Sequence, residues 1–348
     1  MKAIVYTKYG PPDVLQLQEI EKPSPKDNEV LVKVHAASAN AIDWRQFTLP
    51  LIIVRMMRGG VREPKDKSLG ADFAGRVEAV GATVKQFQPG DEVFGLRRGA
   101  FAEYVCAAED RLVLKPANLS FEAAAAVPLA ALTALQGLRD QGEIQPGQKV
   151  LINGAGGGVG TFAVQIAKSF GAEVTAVCST RNLDIARSIG ADHVIDYTQE
   201  DCTESGQRYD LIIAANGYHP ILDYRRALKP NGIYVVLGGS MAQMFQSMVL
   251  GPLLSWSGNK KMRGMMTNVN QGDFVFLKEL LEAGKVVPTI DRCYPLGEVA
   301  EAIRYLVEGH PRGKVVISVE HSWQNLITQF SAARGVSPSS RNLLSANS

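Results

Sequence analysis

The chain is short of cysteine, and its four (Cys106, Cys178, Cys202 and Cys293) are scattered through 348 residues. No two form a CxxC pair, which argues against a zinc knuckle or a disulfide framework and points to a reducing compartment. A dominant charge is also missing. Lys and Arg number 37 against 35 Asp and Glu, a net of +2 with the signs interleaved, so no nucleic-acid or anionic-membrane partner is indicated. Small basic groups such as Arg55, Arg58 and Arg62, or Lys260, Lys261 and Arg263, read as solvated surface. No long apolar run exists either. The opening MKAIVYTKYG lacks a leader's apolar stretch and reads as a first strand. Met241 to Trp256, the most apolar segment, is broken by Gln243, Gln246, Ser247, Gly251 and Pro252, too short and interrupted for a membrane span. A cytoplasmic protein is the expectation.

What is present is ordinary globular material. The hydrophobic share is 46% and the charged share 21%, and a chain of this length is expected to form two domains with a core that needs no staples. Up to about residue 115, strand signals alternate with Gly and Pro turns: Val30 to His35, Phe73 to Val80, the turn–strand–turn Gln86 to Gly95, and Phe101 to Ala107. Short strands at this spacing predict a β-barrel or sandwich. The character changes at Ser120, an N-cap residue followed by Phe121-Glu122-Ala123-Ala124-Ala125-Ala126. From Gln148 strands and helices alternate: Lys149 to Asn153, helix Val159 to Phe170, Glu173 to Val177, helix Leu183 to Ile189, then strands His193 to Asp196, Leu211 to Ala215 and Ile233 to Leu237. That alternation predicts an α/β doubly wound parallel sheet. Val315 to Val319 returns too late for this block and is expected to complete the first domain. The expected division is 1–117 with 293–320, 118–292, and a loosely attached Ser- and Asn-rich tail, 321–348.

Gly154-Ala155-Gly156-Gly157-Gly158-Val159-Gly160 sits between a strand and a helix. A turn without side chains lets backbone approach a pyrophosphate, and the helix start offers free N–H groups and the positive end of its dipole. The pattern is AxGxxG, with Ala155 where the strict fingerprint has glycine. An NAD enzyme usually carries Asp or Glu at the end of the next strand; here the strand runs into Cys178-Ser179-Thr180-Arg181-Asn182, with no carboxylate. Arg181 reads either as a solvated first-turn residue or as the bidentate partner of a 2′-phosphate. The second reading makes the cofactor NADPH.

On these residues the chain resembles the medium-chain dehydrogenase/reductase superfamily, in its zinc-free quinone oxidoreductase branch. The likeness is carried by Gly70 to Gly81 (GADFAGRVEAVG), Phe87, Gly90-Asp91-Glu92-Val93 with Gly95, Gly99 to Tyr104, Leu132-Thr133-Ala134 and Gly309 to Val316. Asn40-Ala41-Ile42-Asp43-Trp44 and the Cys178–Asn182 turn are similar to chloroplast-envelope quinone oxidoreductase homologues and reticulon-interacting mitochondrial oxidoreductases. The resemblance implies a Rossmann domain beside a GroES-like β-barrel domain, and a homodimer. It implies cofactor contacts from Gly157, Gly158, Val159 and Gly160 at the pyrophosphate, from Ser179, Arg181 and Tyr197 at the 2′-phosphate, and from Thr133, Asn216 and Gly238 on the nicotinamide side. Asn40, Asp43 and Trp44 line the substrate cleft by the same likeness. Packing remains open for Tyr197 and Trp44, and turn chemistry for Asn40 and Asn216. In the metal-using relatives the segment matching Gly70-Ala71-Asp72 carries histidine and glutamate; here Ala71 stands for the histidine, the cysteine expected near Asn40 is absent, and the five histidines (His35, His193, His219, His310 and His321) are scattered without ligand spacing, so no metal is expected.

Without a Lewis acid, hydride transfer is expected to reach carbons that are already electron-poor: a quinone, or the β-carbon of an enone or enal. The proton donor stays open among Tyr104, Asp43 and the cofactor's own hydroxyl, so no catalytic residue is assigned. Leu49 to Met57 and the Met-rich stretch Met241 to Met266 read as an apolar pocket wall, the second equally as a subunit contact. Metal-free alcohol dehydrogenation or carbonyl reduction, and a non-catalytic NADPH-binding scaffold or sensor, are the competing functions.

Overall fold

The computed structural model describes residues 1–48, 64–217, 219–239, 241–256, 258–309 and 311–319. The expected pocket wall Leu49 to Met57 and the tail 321–348 lie outside the described residues. Strand β1 (Lys2–Tyr6) pairs antiparallel with β2 (Leu15–Glu19). A longer strand, β3 (Glu29–Ala39), is the spine of a seven-stranded sheet. Along one edge it meets β4 (Asp72–Val80), which passes the sheet on to β5 (Glu92–Leu96) and, beyond β6 (Tyr104–Ala108), to β7 (Leu112–Leu114). On its other edge the first half of β3 pairs with β6. Two register shifts against β4 bend the spine. Its inward Val30, Val32 and Val34 share one core with Phe73, Val93, Phe101 and Val105. Helix α1 (Ala41–Thr48) follows β3 directly.

Ser120 is an N-cap as expected: its side chain accepts from Ala123 N and caps α2 (Phe121–Ala125). Helix α3 (Pro128–Gln136) starts on a proline, whose missing N–H costs nothing there. Six parallel strands then build the second sheet: β8 (Lys149–Asn153), β9 (Glu173–Cys178), β10 (His193–Asp196), β11 (Tyr209–Ala214), β12 (Leu228–Val236) and β13 (Lys261–Gly264). Their order, β10-β9-β8-β11-β12-β13, is that of a Rossmann fold. The four inner strands, β8, β9, β11 and β12, carry runs buried on both faces, and successive residues feed different cores. Val150, Ile152, Val174 and Ala176 pack with α3, with α4 (Gly158–Ser169) and with α8 (Gln271–Glu282). Leu151, Val177, Ile212 and Tyr234 pack instead with Ile221 and Tyr224 of α6 (Ile221–Ala227). Between β9 and β10 runs α5 (Leu183–Ser188), and α7 (Met241–Trp256) precedes β13. Strand β13 has no β-branched pattern of its own; the exposed edge of β12 recruits it.

The chain then returns. Strand β14 (Ile290–Pro295) and, after α9 (Val299–Val307), β15 (Lys314–Ser318) join the first sheet, β15 pairing antiparallel with Ala36–Ala39 of β3. The expected closing strand is therefore seated inside the sheet, between β14 and β3. Among the described residues no helix is long and apolar enough to cross a membrane.

Candidate active site

The glycine-rich turn is held from below by two hydrogen bonds, Gly154 N and Ala155 N donating to Val177 O at 3.1 and 3.0 Å. Gly154 has φ +85°, and a Cβ there would meet Asn216 N at 2.6 Å. At Gly160 a Cβ would stand 2.1 Å from Gly154 O, so the first turn of α4 packs on the preceding strand only without a side chain. The N-cap, Gly157, makes no side-chain cap, and the first amides of α4 are left without a side-chain acceptor. Asn182 is buried against the same turn, where a Cβ on Gly156 would touch its Nδ2; its Oδ1 has no partner. A bare amide cradle beside an orphaned polar side chain fits an anionic, hydrogen-bonding group such as a dinucleotide pyrophosphate.

Beyond β9, Ser179 and the exposed Arg181 lie on a short 3-10 turn, with Asn182 N donating to Ser179 O at 2.8 Å. Tyr197 N donates to Cys178 O at 3.1 Å, which brings Tyr197 alongside this turn with its ring 57% exposed rather than packed. A carboxylate also arrives here that a reading along one strand misses. Asp196 of β10 is in register with Cys178 and accepts from Thr180 Oγ1 and from Thr198 N and Oγ1. Those bonds, Thr180's first, hold its carboxyl below the usual range. Thr180 is thereby committed to Asp196. Arg181 acts electrostatically on Tyr305 of α9, over whose ring the Arg292 guanidinium carbon lies at 3.9 Å.

The first domain contributes a buried polar cluster. Asp72 Oδ2 accepts from Ser38 Oγ (2.9 Å), Asn40 Nδ2 (2.9 Å) and Lys314 Nζ (3.3 Å), and its Oδ1 from Leu129 N (3.0 Å). Lys314 Nζ also donates to Asn40 Oδ1 at 2.6 Å. Lys314 is 3% exposed and Asp72 fully buried, so the pair is a desolvated ion pair, with Asn40 Oδ1 as a second acceptor for the ammonium and Ser38, Asn40 and Leu129 as further donors to the carboxylate. Asp43 Oδ2 accepts from Asn40 N at 2.8 Å, fixing the first turn of α1, while Oδ1 is buried without a partner. Burial, more than any neighbour, pushes the Asp43 carboxyl up to about 7, with Asp72 adding to the rise and Asn40 and Lys314 opposing it. This cluster adjoins the glycine turn: a Cβ on Gly158 would meet Lys314 Cδ at 2.9 Å, and Gly157 bridges to Gly313.

Asn40 and Asp43 thus belong to one network, together with Ser38, Asp72 and Lys314, three residues that no motif in the sequence marks as part of the site. Lys314 was legible only as part of a closing strand. Trp44 packs against the core of the first sheet, the Arg45 guanidinium 5.6 Å from its ring, and Arg45 Nη2 crosses to Gly239 O at 2.7 Å. Thr133 Oγ1 donates to Leu129 O and meets Thr267 Oγ1 at 2.8 Å. Asn216 is exposed beside Gly154, and Gly238 N donates to Ala214 O on the neighbouring strand end. Tyr104, a considered proton donor, lies under Lys22 Nζ at 3.8 Å and takes no part in the Asp72 network.

Residues 26–117 match the family model described as alcohol dehydrogenase GroES-like domain, and residues 189–317 the one described as zinc-binding dehydrogenase. A chloroplast envelope quinone oxidoreductase homolog of Arabidopsis thaliana is 32% identical over 336 residues, covering 91% of this chain and 98% of its own. The NADPH-dependent alkenal/one oxidoreductase, chloroplastic, of the same plant is 35% identical over 338 residues, covering 91% and 79%. Among solved structures, the quinone oxidoreductase from Coxiella burnetii superposes with a TM-score of 0.82 at 33% identity, covering 92% of this chain and 99% of that one.

Proposed function

The chain belongs to the medium-chain dehydrogenase/reductase superfamily, in its quinone oxidoreductase-like branch, and we propose that it is an NADPH-dependent reductase of quinones or of the C=C bond of α,β-unsaturated carbonyls, working without a catalytic zinc. The observation that carries this reading is the bare glycine cradle at the start of α4, with Asn182 Oδ1 unpartnered beside it. Gly157, Gly158, Val159 and Gly160 would hold the pyrophosphate through backbone N–H groups. Ser179, Arg181 and Tyr197 would take the 2′-phosphate, Arg181 as the charged fork. Thr133, Asn216 and Gly238 would face the nicotinamide. Bound there, NADPH supplies a hydride.

The metal-free reading is supported by the chemistry of the buried cluster. Asp72 already has a cation, Lys314, and its two oxygens accept four hydrogen bonds. Asn40 and Ala71 add no thiolate or imidazole that a zinc site prefers. Without a Lewis acid, an acceptor carbon polarised by its own conjugation is the fitting substrate. Relatives named for quinones and for alkenals or enones agree with it. Asn40 stays our choice for the cleft wall; Asp43 serves it as a positioning residue by capping α1 and fixing Asn40. Trp44 would contribute only the part of its ring that the core leaves uncovered.

The exposed apolar residues Phe245, Leu253 and Trp256 of α7, next to the open edge strand β13, support a homodimer. The scattered free cysteines support a cytoplasmic location. The deciding assay follows NADPH oxidation with a panel of quinones, enals, enones, saturated aldehydes and ketones. Turnover of the conjugated acceptors is expected; turnover of saturated carbonyls alone overturns the substrate reading, and nucleotide binding without any acceptor favours the scaffold.

A further inference from the structure

Outside the cleft, the Rossmann sheet gathers three residues that no part of the proposed reaction uses. Asp201 and Cys202 lie in the connection from β10 to β11, and His219 in the turn from β11 to α6. Cys202 Sγ is 3.8 Å from His219 Nε2, and His219 Nδ1 is 3.7 Å from Asp201 Oδ2. One ligand atom from each lies within 4.8 Å of the other two, the one such His/Cys/acid group among the described residues. We propose that Asp201, Cys202 and His219 form a site for one zinc ion that pins these two connections together.

The donor set decides the class of metal. A thiolate and an imidazole suit a borderline divalent cation and are poor ligands for magnesium or calcium, which take oxygen. Zinc bonds of about 2.3 Å to sulfur and 2.0–2.1 Å to nitrogen, at a tetrahedral angle, place the two ligand atoms about 3.6 Å apart. The Sγ–Nε2 separation already matches that. One ion takes only one ring nitrogen of His219, so the Asp201 carboxylate, which faces Nδ1, has to swing toward Nε2 to complete the set; its Oδ1 accepts from Thr203 N and Oγ1, both at 2.7 Å, which leaves Oδ2 for the ion. The His219 ring stands edge-on to Tyr224 at 5.5 Å between centroids, so its orientation is set by packing. Cys202 is 1% exposed while Asp201 and His219 border solvent, an arrangement that admits an ion and a water as fourth ligand from one side. The same burial argues against a Cys–His–Asp nucleophile, because no carbon electrophile reaches the sulfur.

The site would sit between Tyr197, four residues before Asp201, and Asn216, three before His219. An ion there stiffens two segments that lead into the proposed nucleotide site, one carrying Tyr197 on its adenosine side and one carrying Asn216 on its nicotinamide side. The proposal stands independently of the nucleotide reading.

The test titrates zinc alone into the full chain, stripped with a chelator, and measures stoichiometry by dialysis and metal analysis. One equivalent is expected at micromolar or tighter affinity, weakened at least 100-fold in Cys202→Ser and in His219→Gln and at least tenfold in Asp201→Asn. Cobalt in place of zinc is expected to give a thiolate-to-metal charge-transfer band that Cys202→Ser abolishes. Circular dichroism checks that the variants are folded; His219→Gln and Asp201→Asn alter partly exposed side chains and keep the test open if the buried cysteine variant is not. No stoichiometric binding, or binding that survives His219→Gln and Asp201→Asn unchanged, overturns the site.

Discussion

Lys314 Nζ donates to Asn40 Oδ1 across 2.6 Å, although 274 positions separate the two residues. The contact ties the returning strand to the end of β3 and sets both against the glycine turn. Removing the ammonium leaves Asp72 as a buried, uncompensated carboxylate. Lys314→Met is therefore expected to cost about 3–5 kcal/mol of stability, read from denaturant unfolding. A loss under 1 kcal/mol shows that the pair is not desolvated as described.

Asp43 makes stability depend on pH. Its carboxyl rises from 3.8 to about 7 through burial, so between those values the folded protein keeps a proton that the unfolded chain gives up. Stability then falls as pH rises through that window. Asp43→Asn, whose Oδ1 still accepts from Asn40 N, removes this slope. At pH values above the window the variant is expected to be the more stable, by at most about 4 kcal/mol at 1.36 kcal/mol per pH unit, and near pH 3 the two should coincide. Urea unfolding across the pH series checks it, and parallel slopes refute it.

The proposed preference for NADPH rests on charges at the turn after β9. Arg181→Asp is expected to weaken NADPH by about 1–3 kcal/mol and leave NADH nearly unchanged. Asp196→Asn removes a negative charge next to Thr180 and should shift preference the opposite way. Calorimetric titration of both nucleotides decides. An Arg181→Asp protein that prefers NADPH as strongly as before removes Arg181 from the phosphate site.

At Gly160 one methyl group is too much. Gly160→Ala places a Cβ 2.1 Å from Gly154 O, which the turn relieves only by moving α4. Nucleotide affinity should fall at least tenfold, while Gly157→Ala, whose added Cβ meets only Gly154 O at 3.7 Å, keeps a folded turn. Equal affinities for parent and Gly160→Ala contradict the described packing.

The apolar face of α7 offers a test of assembly. The parent is expected to sediment as a dimer and Leu253→Asp with Trp256→Asp as a monomer, both side chains being more than half exposed in the single chain. A monomeric parent, or a double variant that stays dimeric, places the contact elsewhere or denies it.

Much of this architecture could be read in one dimension because its signals are local. Ser120 announces a helix start, Gly154 to Gly160 a strand–turn–helix, and the runs at Lys149 and His193 their strands to the residue. Signals that depend on tertiary pairing stayed silent. Nothing in Lys261-Met262-Arg263-Gly264 asks for a strand until β12 offers an edge. Asp196 looks like the end of one strand and becomes part of the neighbouring strand's turn only through register. Lys314 reads as one cation among 37 basic residues, and only folding takes it out of water and gives it Asp72.

The pairing of β15 with Ala36–Ala39 of β3 also carries a cost in time. A ribosome adding roughly 5–20 residues per second takes on the order of 14–55 s to travel from Asn40 to Lys314. Throughout that interval half of one edge of the spine strand has emerged with no mate, and Asp72 waits without its counter-ion. The nascent chain therefore passes through a long-lived stage with sticky backbone on display, and it is at this stage, more than in the finished protein, that a chaperone has something to hold.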